Sequence, residues 1–278
     1  MLFLSGLLLG GCAENLSFAS TQYADVSAGF FHSCGVEASR NISCWGYDSD
    51  GQSSPPVGSF SQVGTGLYFG CGLDSSNSIQ CWGNGDGGQT SFPEGFFNLI
   101  SVGMAHGCAI DIEGAMRCWG DNTYGQATAP TGSFKGVSAG RFHTCGLYEN
   151  GYITCWGDNY YGQLSVPPGL FKQVSAGWKH TCGIDEFDGI QCWGDDTFSQ
   201  ALPPSGRFIE VDCGHNHTCA ITTDGAGTCW GDDHFGQATP PIAEMKEVSS
   251  GLNHSCGIDE QDQLICWGDD AYNQVLPP

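Results

Sequence analysis

The feature that most constrains this chain is a block of 37 residues that recurs seven times without an insertion. Cysteine keeps this interval in two series, at Cys34, Cys71, Cys108, Cys145, Cys182, Cys219 and Cys256, and at Cys44, Cys81, Cys118, Cys155, Cys192, Cys229 and Cys266. A Trp-Gly pair follows every cysteine of the second series, and a Gln and a Pro recur later in each unit. A period of this length is the signature of a repeat architecture. The units are 20–56, 57–93, 94–130, 131–167, 168–204, 205–241 and 242–278, which together make one domain, 20–278.

Each unit reads as a series of short strands separated by turn residues. In the fifth unit, 173–176, 180–184 and 190–194 are three such segments, and a fourth strand is expected near 200–202, before Pro203-Pro204. Four short antiparallel strands per unit are typical of a propeller blade. A β-solenoid is the alternative, but its coils are shorter and its ends need caps, and neither end of this array differs from the middle. The sequence therefore predicts an all-β, seven-bladed β-propeller. Ring closure should bring the residues before Tyr23–Val26 against the C-terminal strand near Val275.

The cysteine spacing predicts one disulfide within each blade. If the second and third strands form a hairpin with its turn near residue 39, Cys34 faces Cys44, Ser33 faces Trp45 and Val36 faces Ile42, and facing residues of this kind are close enough to bridge. The same register predicts the pairs Cys34–Cys44, Cys71–Cys81, Cys108–Cys118, Cys145–Cys155, Cys182–Cys192, Cys219–Cys229 and Cys256–Cys266, with Cys213 left as a thiol. Zinc binding is disfavoured because the pairs lack the short C-x2-C spacing of structural zinc sites.

Composition and the N-terminus indicate a location outside the cytosol. Sixteen cysteines in a chain with 14% charged residues are typical of an oxidising compartment. The formal charge of −22 excludes nucleic acid as a partner and disfavours anionic lipid. Residues 1–12 read as a signal peptide that ends in a lipobox-like Leu9-Gly10-Gly11-Cys12, followed by a short linker, 13–19. We expect a lipid on Cys12, which would be the only membrane attachment; a plain secretory signal is the alternative.

Residues that repeat in every unit are interpreted as architecture rather than chemistry. One position holds His32, His106, His143, His180, His217 and His254, with Phe69 in the second unit, and structural hydrogen bonding is favoured over metal binding or catalysis. Acidic pairs such as Asp195-Asp196 fit Asx-turns, with calcium binding as the alternative. Cys213 occupies a position of small residues, which favours burial over nucleophilic catalysis. No catalytic signature, metal site or cofactor site is predicted.

The positions that vary most lie in the first hairpin turn of each unit. They are Phe30-Phe31, Leu67-Tyr68, Met104-Ala105, Arg141-Phe142, Trp178-Lys179, His215-Asn216 and Leu252-Asn253. Alternating hairpins should place these turns at the same end of the ring as the Asp-rich turns that follow Trp-Gly. Aromatic residues, Met and Arg on a rigid surface are typical of protein-binding sites. We expect these residues to contact a protein partner; the alternative is that some of them plug the central channel.

One stretch of the fourth unit identifies a family resemblance. Residues 137–163, Val-Ser-Ala-Gly-x-x-His-Thr-Cys-Gly-Leu followed by Ile-Thr-Cys-Trp-Gly-Asp-Asn-x-x-Gly-Gln, resemble the regulator of chromosome condensation repeat. The resemblance implies a seven-bladed propeller that binds protein partners. The units here are shorter than eukaryotic repeats, and the paired cysteines place the chain nearer to bacterial secreted and lipid-anchored members of the β-lactamase inhibitory protein II type.

These observations predict a non-catalytic, monomeric protein-recognition scaffold, displayed on the bacterial cell envelope or secreted. A structural or adhesive envelope protein without one high-affinity partner is the first alternative. An enzyme that uses the mouth of the propeller is less favoured. Small-GTPase exchange is implied only by analogy with the family, and a fold does not carry a function by itself.

Overall fold

The computed structural model describes residues 21–241 and 243–278. The expected signal peptide 1–12, the lipid attachment at Cys12 and the linker 13–19 lie outside the described residues. Within the described part of the chain there are 21 β-strands and no helix that could span a membrane.

Three strands make up each blade, and every blade begins 37 residues after the one before it. The strands are β1 (Tyr23–Ala28), β2 (His32–Glu37), β3 (Ile42–Gly46); β4 (Phe60–Thr65), β5 (Phe69–Asp74), β6 (Ile79–Gly83); β7 (Phe97–Val102), β8 (His106–Asp111), β9 (Met116–Gly120); β10 (Phe134–Ala139), β11 (His143–Tyr148), β12 (Ile153–Gly157); β13 (Phe171–Ala176), β14 (His180–Asp185), β15 (Ile190–Gly194); β16 (Phe208–Cys213), β17 (His217–Thr222), β18 (Gly227–Gly231); and β19 (Met245–Ser250), β20 (His254–Asp259), β21 (Leu264–Gly268). Each blade is an antiparallel sheet in sequence order, for example β1-β2-β3.

The expected fourth strand of each blade is wrong. The segment after Trp-Gly forms turns, because its Gln uses its polar groups locally and in the neighbouring blade. In the third unit, Gln126 Oε1 accepts the backbone amide of Tyr124 at 2.8 Å and Nε2 donates to Asp121 at 2.7 Å. The Gln126 carbonyl accepts Trp156 Nε1–H from the fourth blade at 2.9 Å. The turn therefore ties one blade to the next instead of adding a strand.

The predicted hairpin register and disulfides are confirmed. Cys34 pairs with Cys44, Ser33 with Trp45 and Val36 with Ile42 across β2 and β3. All seven predicted cysteine pairs are bonded within their own hairpins. Cys213 is a free, buried thiol.

The hydrophobic core lies between the blades, as seven separate layers. Between blades 4 and 5, for example, Leu147 of β11 packs with Phe171 and Val174 of β13. Trp193 belongs to the same layer, so the Trp of each unit packs against the preceding blade. A single blade therefore has no core of its own, and the fold depends on stacking neighbours around the ring.

The Gly that follows each Trp is explained by its backbone conformation and by crowding. Gly157 has φ of +107°, in the region that L side chains rarely adopt. A Cβ at this position would lie 2.5 Å from the Phe142 carbonyl oxygen and 2.8 Å from the His143 Cα. No side chain fits where the outer strand crosses the first hairpin turn, which accounts for the Gly in every unit.

The ring closes between blades 7 and 1 through contacts that differ in part from those expected. The segment near Val275 does reach blade 1, but it meets β2 and β3: the Gln274 carbonyl accepts Trp45 Nε1–H at 2.7 Å and Ser33 Oγ–H at 3.1 Å. Of the residues before Tyr23 that the structure describes, Gln22 instead donates to Gln261 O of blade 7 at 3.4 Å, and the Tyr23–Val26 segment contacts the same blade. Tyr23 N donates to Asp262 O at 2.9 Å and Val26 N to Glu247 Oε1 at 2.9 Å. The innermost strands, β1, β4, β7, β10, β13, β16 and β19, pack against one another around the central channel.

Candidate protein-binding face

One end of the ring, called here the turn face, carries the first hairpin turn of every blade and the loop that follows Trp-Gly. The two segments are joined by backbone hydrogen bonds. Asp158 N, directly after Trp156-Gly157, donates to Phe142 O at 2.8 Å, and the equivalent bond occurs in the other blades, as from Tyr47 N to Phe31 O at 2.9 Å. The predicted placement of both segments at the same end is therefore confirmed.

The first residue of each turn pair faces the central channel. These inner turn residues are Phe30, Leu67, Met104, Arg141, Trp178, His215 and Leu252. Their backbone amides donate to carbonyls of the next blade, as from Arg141 N to Gly177 O at 3.1 Å and, across the seam, from Leu252 N to Gly29 O at 3.1 Å. All except Leu67 are among the residues lining a central cavity of about 200 Å³. Backbone hydrogen bonds thus fix the turns as one closed collar.

Four inner turn residues contact one another at the mouth of the channel. The Phe30 and Trp178 rings, from blades 1 and 5, have centroids 5.2 Å apart, and Trp178 meets His215 at 4.0 Å. The Arg141 guanidinium carbon lies 4.0 Å from the Trp178 ring centroid and 4.3 Å from that of Phe142. Such cation–π and aromatic contacts stabilise a fixed arrangement. The alternative prediction, that some turn residues plug the channel, therefore applies to four of them: Phe30, Arg141, Trp178 and His215.

Within this plug, Arg141 carries a charge at neutral pH, whereas burial keeps His215 uncharged. Desolvation lowers the pKa of His215 to about 4, and the neighbouring cations Lys179 and Arg141 lower it further in the same direction. Burial also lowers the pKa of Arg141, which stays protonated. At neutral pH His215 is therefore a neutral ring packed on Trp178.

The second residue of each pair is absent from the lining of the central cavity, and four of the seven join aromatic clusters. These outer turn residues are Phe31, Tyr68, Ala105, Phe142, Lys179, Asn216 and Asn253. Phe31 packs on Tyr68, with centroids 6.1 Å apart, and on Tyr272 of blade 7, at 5.4 Å. Tyr47 completes this cluster by contacting Tyr272 at 5.1 Å.

The same pattern extends into the third to fifth blades. Phe142 packs on Tyr124 of blade 3, with ring centroids 4.9 Å apart. Lys179 Nζ lies 4.5 Å from the Tyr161 ring centroid. Four of the seven outer residues thus contact an aromatic residue in the loop of the preceding blade: Phe31, Tyr68, Phe142 and Lys179.

Those loop residues form a set that the sequence analysis missed. The residue two positions before the Gln is aromatic in five consecutive units, and the five side chains are 40–50% exposed: Tyr124, Tyr161, Phe198, Phe235 and Tyr272. Tyr160, beside Tyr161, is 83% exposed. The signal was present, because an aromatic residue at one solvent-facing position of five units is a pattern that packing does not require.

The loops also make the turn face strongly acidic. They carry Asp48, Asp50, Asp86, Asp121, Asp158, Asp195, Asp196, Asp232, Asp233, Asp269 and Asp270, whereas the Lys and Arg residues of this face are Arg141 and Lys179. The predicted Asx-turns are present: Asp195 Oδ1 accepts the amide of Thr197 at 3.2 Å, and Asp196 Oδ1 accepts that of Ala201 at 2.9 Å. These carboxylates therefore have a structural role in the loops as well as a charge.

The repeated histidines make structural hydrogen bonds, as predicted, at five of six positions. His143 Nε2 lies 2.9 Å from Thr181 Oγ1 of the next blade, and Thr181 Oγ–H donates to the Gln163 carbonyl at 3.0 Å. Since the hydroxyl proton is used, His143 must donate from Nε2, which leaves Nδ1 as an unprotonated, unpartnered nitrogen. Burial lowers the pKa of His143 to about 3. The equivalent bonds start from His106, His180, His217 and His254.

Cys213 is not placed as a nucleophile. It is buried in β16, and burial raises the pKa of its thiol, so the reactive thiolate is disfavoured. Its sulfur lies within 4.8 Å of a ring nitrogen of His180 and of the Cys182 sulfur, the one such trio of potential metal ligands within residues 21–241 and 243–278. Cys182 is bonded to Cys192, however, and a disulfide sulfur is a poor metal ligand.

Comparison with known proteins places this geometry among related propellers. The ectodomain of the Physcomitrella patens receptor kinase CR4 is 27% identical, over 89% of this chain and 74% of that chain, with a TM-score of 0.74. The CRINKLY WD40 ectodomain of the Arabidopsis thaliana receptor kinase ACR4 is 26% identical, over 89% of this chain and 97% of that chain, with a TM-score of 0.74. Prp20p from Saccharomyces cerevisiae, described with its binding to Gsp1p and histones, shares the fold at 14% identity, over 85% and 83% of the two chains, with a TM-score of 0.71.

None of the curated proteins is significantly similar to this chain. The regulator of chromosome condensation (RCC1) repeat, in contrast, matches six of the seven units, at residues 23–52, 98–126, 134–163, 171–200, 208–237 and 245–274. Together these segments cover more than half of the chain. With the ring of seven disulfide-bonded blades, this match shows that the chain belongs to the RCC1 repeat family.

Proposed function

We propose that this protein is a non-catalytic recognition scaffold that acts outside the cytosol and binds a protein partner with its turn face. The observation that carries the proposal is the set of five exposed aromatic residues, Tyr124, Tyr161, Phe198, Phe235 and Tyr272, around one end of the ring. Exposed aromatic residues on a rigid support supply large contact areas at little entropic cost. Seven disulfides and the collar of backbone hydrogen bonds provide that support.

The charge of the turn face indicates the chemistry of the partner. Eleven aspartates and two cations lie among the aromatic residues of the turn face. A partner surface rich in Lys and Arg would complement this charge, and such complementarity raises the association rate in a salt-dependent manner. Binding through the turn face should therefore weaken as the salt concentration rises.

The disulfides and the relatives support the proposed setting outside the cytosol. Seven disulfides are stable in an oxidising compartment. The two receptor-kinase relatives are ectodomains, and ectodomains lie outside the cell. We place this protein on the cell envelope through a lipid at Cys12, or in the secreted fraction.

The test compares two variants whose substitutions already occur in sibling units. The turn-face variant is F198D with F235D, since Asp50 occupies that position in the first unit. The control is F187S with I209K, at the opposite end of the ring, since Ser76 and Lys172 occupy those positions. Proteins captured from envelope and culture-fluid extracts by the immobilised wild type are identified by mass spectrometry, and each is then purified and titrated.

We expect one saturable partner whose affinity falls at least about tenfold with the turn-face variant and changes little with the control. Loss of affinity with the control alone would move the site to the opposite end of the ring. Capture of no saturable partner would contradict the proposal and favour a structural or adhesive role.

A further inference from the structure

The innermost strand of each blade has one strand partner, and its free edge is covered by side chains of the preceding blade. In two units the covering side chain is a neutral Gln. Gln62 Oε1 accepts Ile100 N–H at 3.1 Å, and Gln173 Oε1 accepts Val211 N–H at 3.0 Å. These bonds link neighbouring inner strands across the gap between blades, where no strand ladder exists.

Around the seam, this linking position holds carboxyl groups instead. Glu247 of β19 accepts Val26 N–H at 2.9 Å, and Asp25 of β1 accepts Val63 N–H at 2.6 Å. Glu210 of β16 accepts the backbone amide of Val248. Blades 6, 7 and 1 are thus joined in succession by ionisable groups, and the closing junction, between blades 7 and 1, lies among them.

The side chains of Asp25 and Glu247 are largely shielded from solvent and interact with each other at the junction where Glu247 also accepts Val26 N–H at 2.9 Å. A hydrogen bond between two carboxyl groups requires one proton, because two carboxylates have only acceptors. Two charges this close in a buried site would repel strongly, and neither Lys nor Arg bonds to the pair.

The other groups packed around the pair do not neutralise it. Glu210 and Asp212 of β16 are acidic as well, and burial raises the pKa of both, that of Asp212 to about 6. Lys246, next to Glu247, lowers the pKa of Glu247 but is paired with Asp262 at the surface. On the other side of Asp25, β4 presents the neutral Gln62. The remaining titratable residues of the packed strands β2 and β20 are His32, Glu37, His254 and Asp259. Both histidines are buried, and burial lowers the pKa of His32 to about 4 and that of His254 to about 3, so they too are neutral.

We propose that closure of the ring depends on a proton: Asp25 and Glu247 share one hydrogen across the junction of blades 7 and 1, and its loss loosens that junction. Burial and the neighbouring carboxylates raise the pKa of Asp25 well above its usual range, and burial raises that of Glu247. A carboxyl whose pKa is raised in the closed form releases its proton on opening, so opening becomes more favourable as pH rises. The stabilisation is complete at acidic pH and is lost as pH rises towards the raised pKa.

The two matched links in the same molecule supply an internal control. Amide hydrogen exchange measures opening of the Val26 N–H bond to Glu247 and of the Ile100 N–H bond to the neutral Gln62, whose neighbours Leu99 and Ser101 do not ionise. We expect the protection factor of Val26 to fall by at least about tenfold from about pH 5.5 to about pH 8.5, after correction for the intrinsic exchange rate. That of Ile100 should change by less than about twofold over the same range.

Two variants assign the effect to the shared proton. E247Q reproduces the Gln found at this position in units 2 and 5, keeps the acceptor for Val26 and needs no shared proton. D25N removes the ionisable group of the other member of the pair. Either variant should abolish the pH dependence at Val26, whereas E186Q, an exposed carboxylate elsewhere, should retain it.

The proposal is overturned if Val26 and Ile100 lose protection in parallel in the wild type, or if the variants keep the wild-type pH dependence at Val26. If E247Q does not fold, D25N alone decides, since either substitution removes the proton sharing. The result does not depend on any binding partner, so it is independent of the proposed function.

Discussion

The seven junctions between blades are of two kinds, although the blades are nearly identical. At five of them a His donates to a Ser or Thr of the next blade, and that hydroxyl donates to a Gln carbonyl, as His143, Thr181 and Gln163 do. This chain of hydrogen bonds is missing at the junction between blades 1 and 2 (junction 1–2) and at that between blades 2 and 3 (junction 2–3). His32 meets Gly70, and both of its ring nitrogens are buried without a partner. Phe69 meets Gly107 and needs none.

A different bond is present at all seven junctions. Trp82 Nε1–H donates to the Gln52 carbonyl at 2.8 Å and Trp119 Nε1–H to the Gln89 carbonyl at 2.8 Å, as their equivalents do elsewhere. At the two exceptional junctions the Trp ring packs close to the Gly: a Cβ at Gly70 would lie 2.6 Å from Trp82. Because the Trp–Gln bond is present at every junction and the histidine chain is not, the Trp–Gln bond is the side-chain contact that all neighbouring blades share. The histidine chain adds polar specificity; both of its side-chain members are replaced at junction 2–3, whereas at junction 1–2 the histidine stays and its partner position holds Gly70.

The largest expected effect is a loss of folding stability at acidic pH, because every junction that contains a buried histidine is then destabilised. Burial lowers the pKa of His32, His106 and His180 to about 4, and that of the equivalent His143, His217 and His254 to about 3. As pH falls, these histidines are protonated in the unfolded state before they are protonated in the folded state. Their contribution to the free energy of unfolding is therefore complete above the ordinary pKa of 6.5 and is lost as pH falls towards 4. The loss approaches about 3 kcal/mol for each histidine.

Urea unfolding of the disulfide-intact protein from about pH 7 to about pH 4.5 checks this expectation. H32F, which copies Phe69, should reduce the number of protons taken up on unfolding by about one. An unchanged slope in H32F would mean that His32 is not neutral in the folded state.

An intermediate effect is expected from T181V at a regular junction. Valine has the shape of threonine but no hydroxyl, so His143 Nε2–H loses its acceptor, while the Gln163 carbonyl keeps the Trp193 bond at 2.8 Å. A buried donor left without a partner costs about 1–3 kcal/mol. Urea unfolding at neutral pH measures the change. T239V, the same substitution at an exposed site, should cost less than about 0.5 kcal/mol; equal losses would remove the distinction between a buried chain and a surface bond.

The smallest expected effect has the opposite sign. At neutral pH, H32F should stabilise the protein by about 1 kcal/mol, because it replaces two buried, unpartnered nitrogens by carbon in a ring of similar shape. H32A, which removes the ring, should lose about 2–3 kcal/mol through the cavity that it leaves. The measurement is again urea unfolding. Destabilisation by H32F would indicate that His32 has a partner in solution, such as a buried water.

Much of the fold could be predicted from the sequence because its information is local. The Cys34–Cys44 pairing and the facing of Ser33 and Trp45 follow from one hairpin of fixed register, and the structure confirms both. The fourth strand was predicted wrongly since Gln and Asp have two possible uses, in a strand ladder or in a turn. That choice depends on the next blade, whose Trp takes the Gln carbonyl.

The candidate site was predicted only in part, for a similar reason. Variation in the turn pairs located the turn face, and the aromatic loop positions could have been found from their period. Nothing in the repeat indicates that Phe30 meets Trp178 across the channel or that Arg141 covers the same ring. Whether the outer residues bind a partner stays a prediction.

The sequence by itself determined the number of blades, the register of the second hairpin in each blade and the pairing of fourteen cysteines, because each depends on residues within one 37-residue unit. Only the tertiary structure decided which histidine lacks a partner, which aromatic residues fill the channel mouth, and that Asp25 lies against Glu247. Those contacts join residues from different units, up to 222 positions apart for Asp25 and Glu247. Closure of the ring brings these residues together. The repeat pattern along the chain does not indicate which of the residues that differ between units will become neighbours.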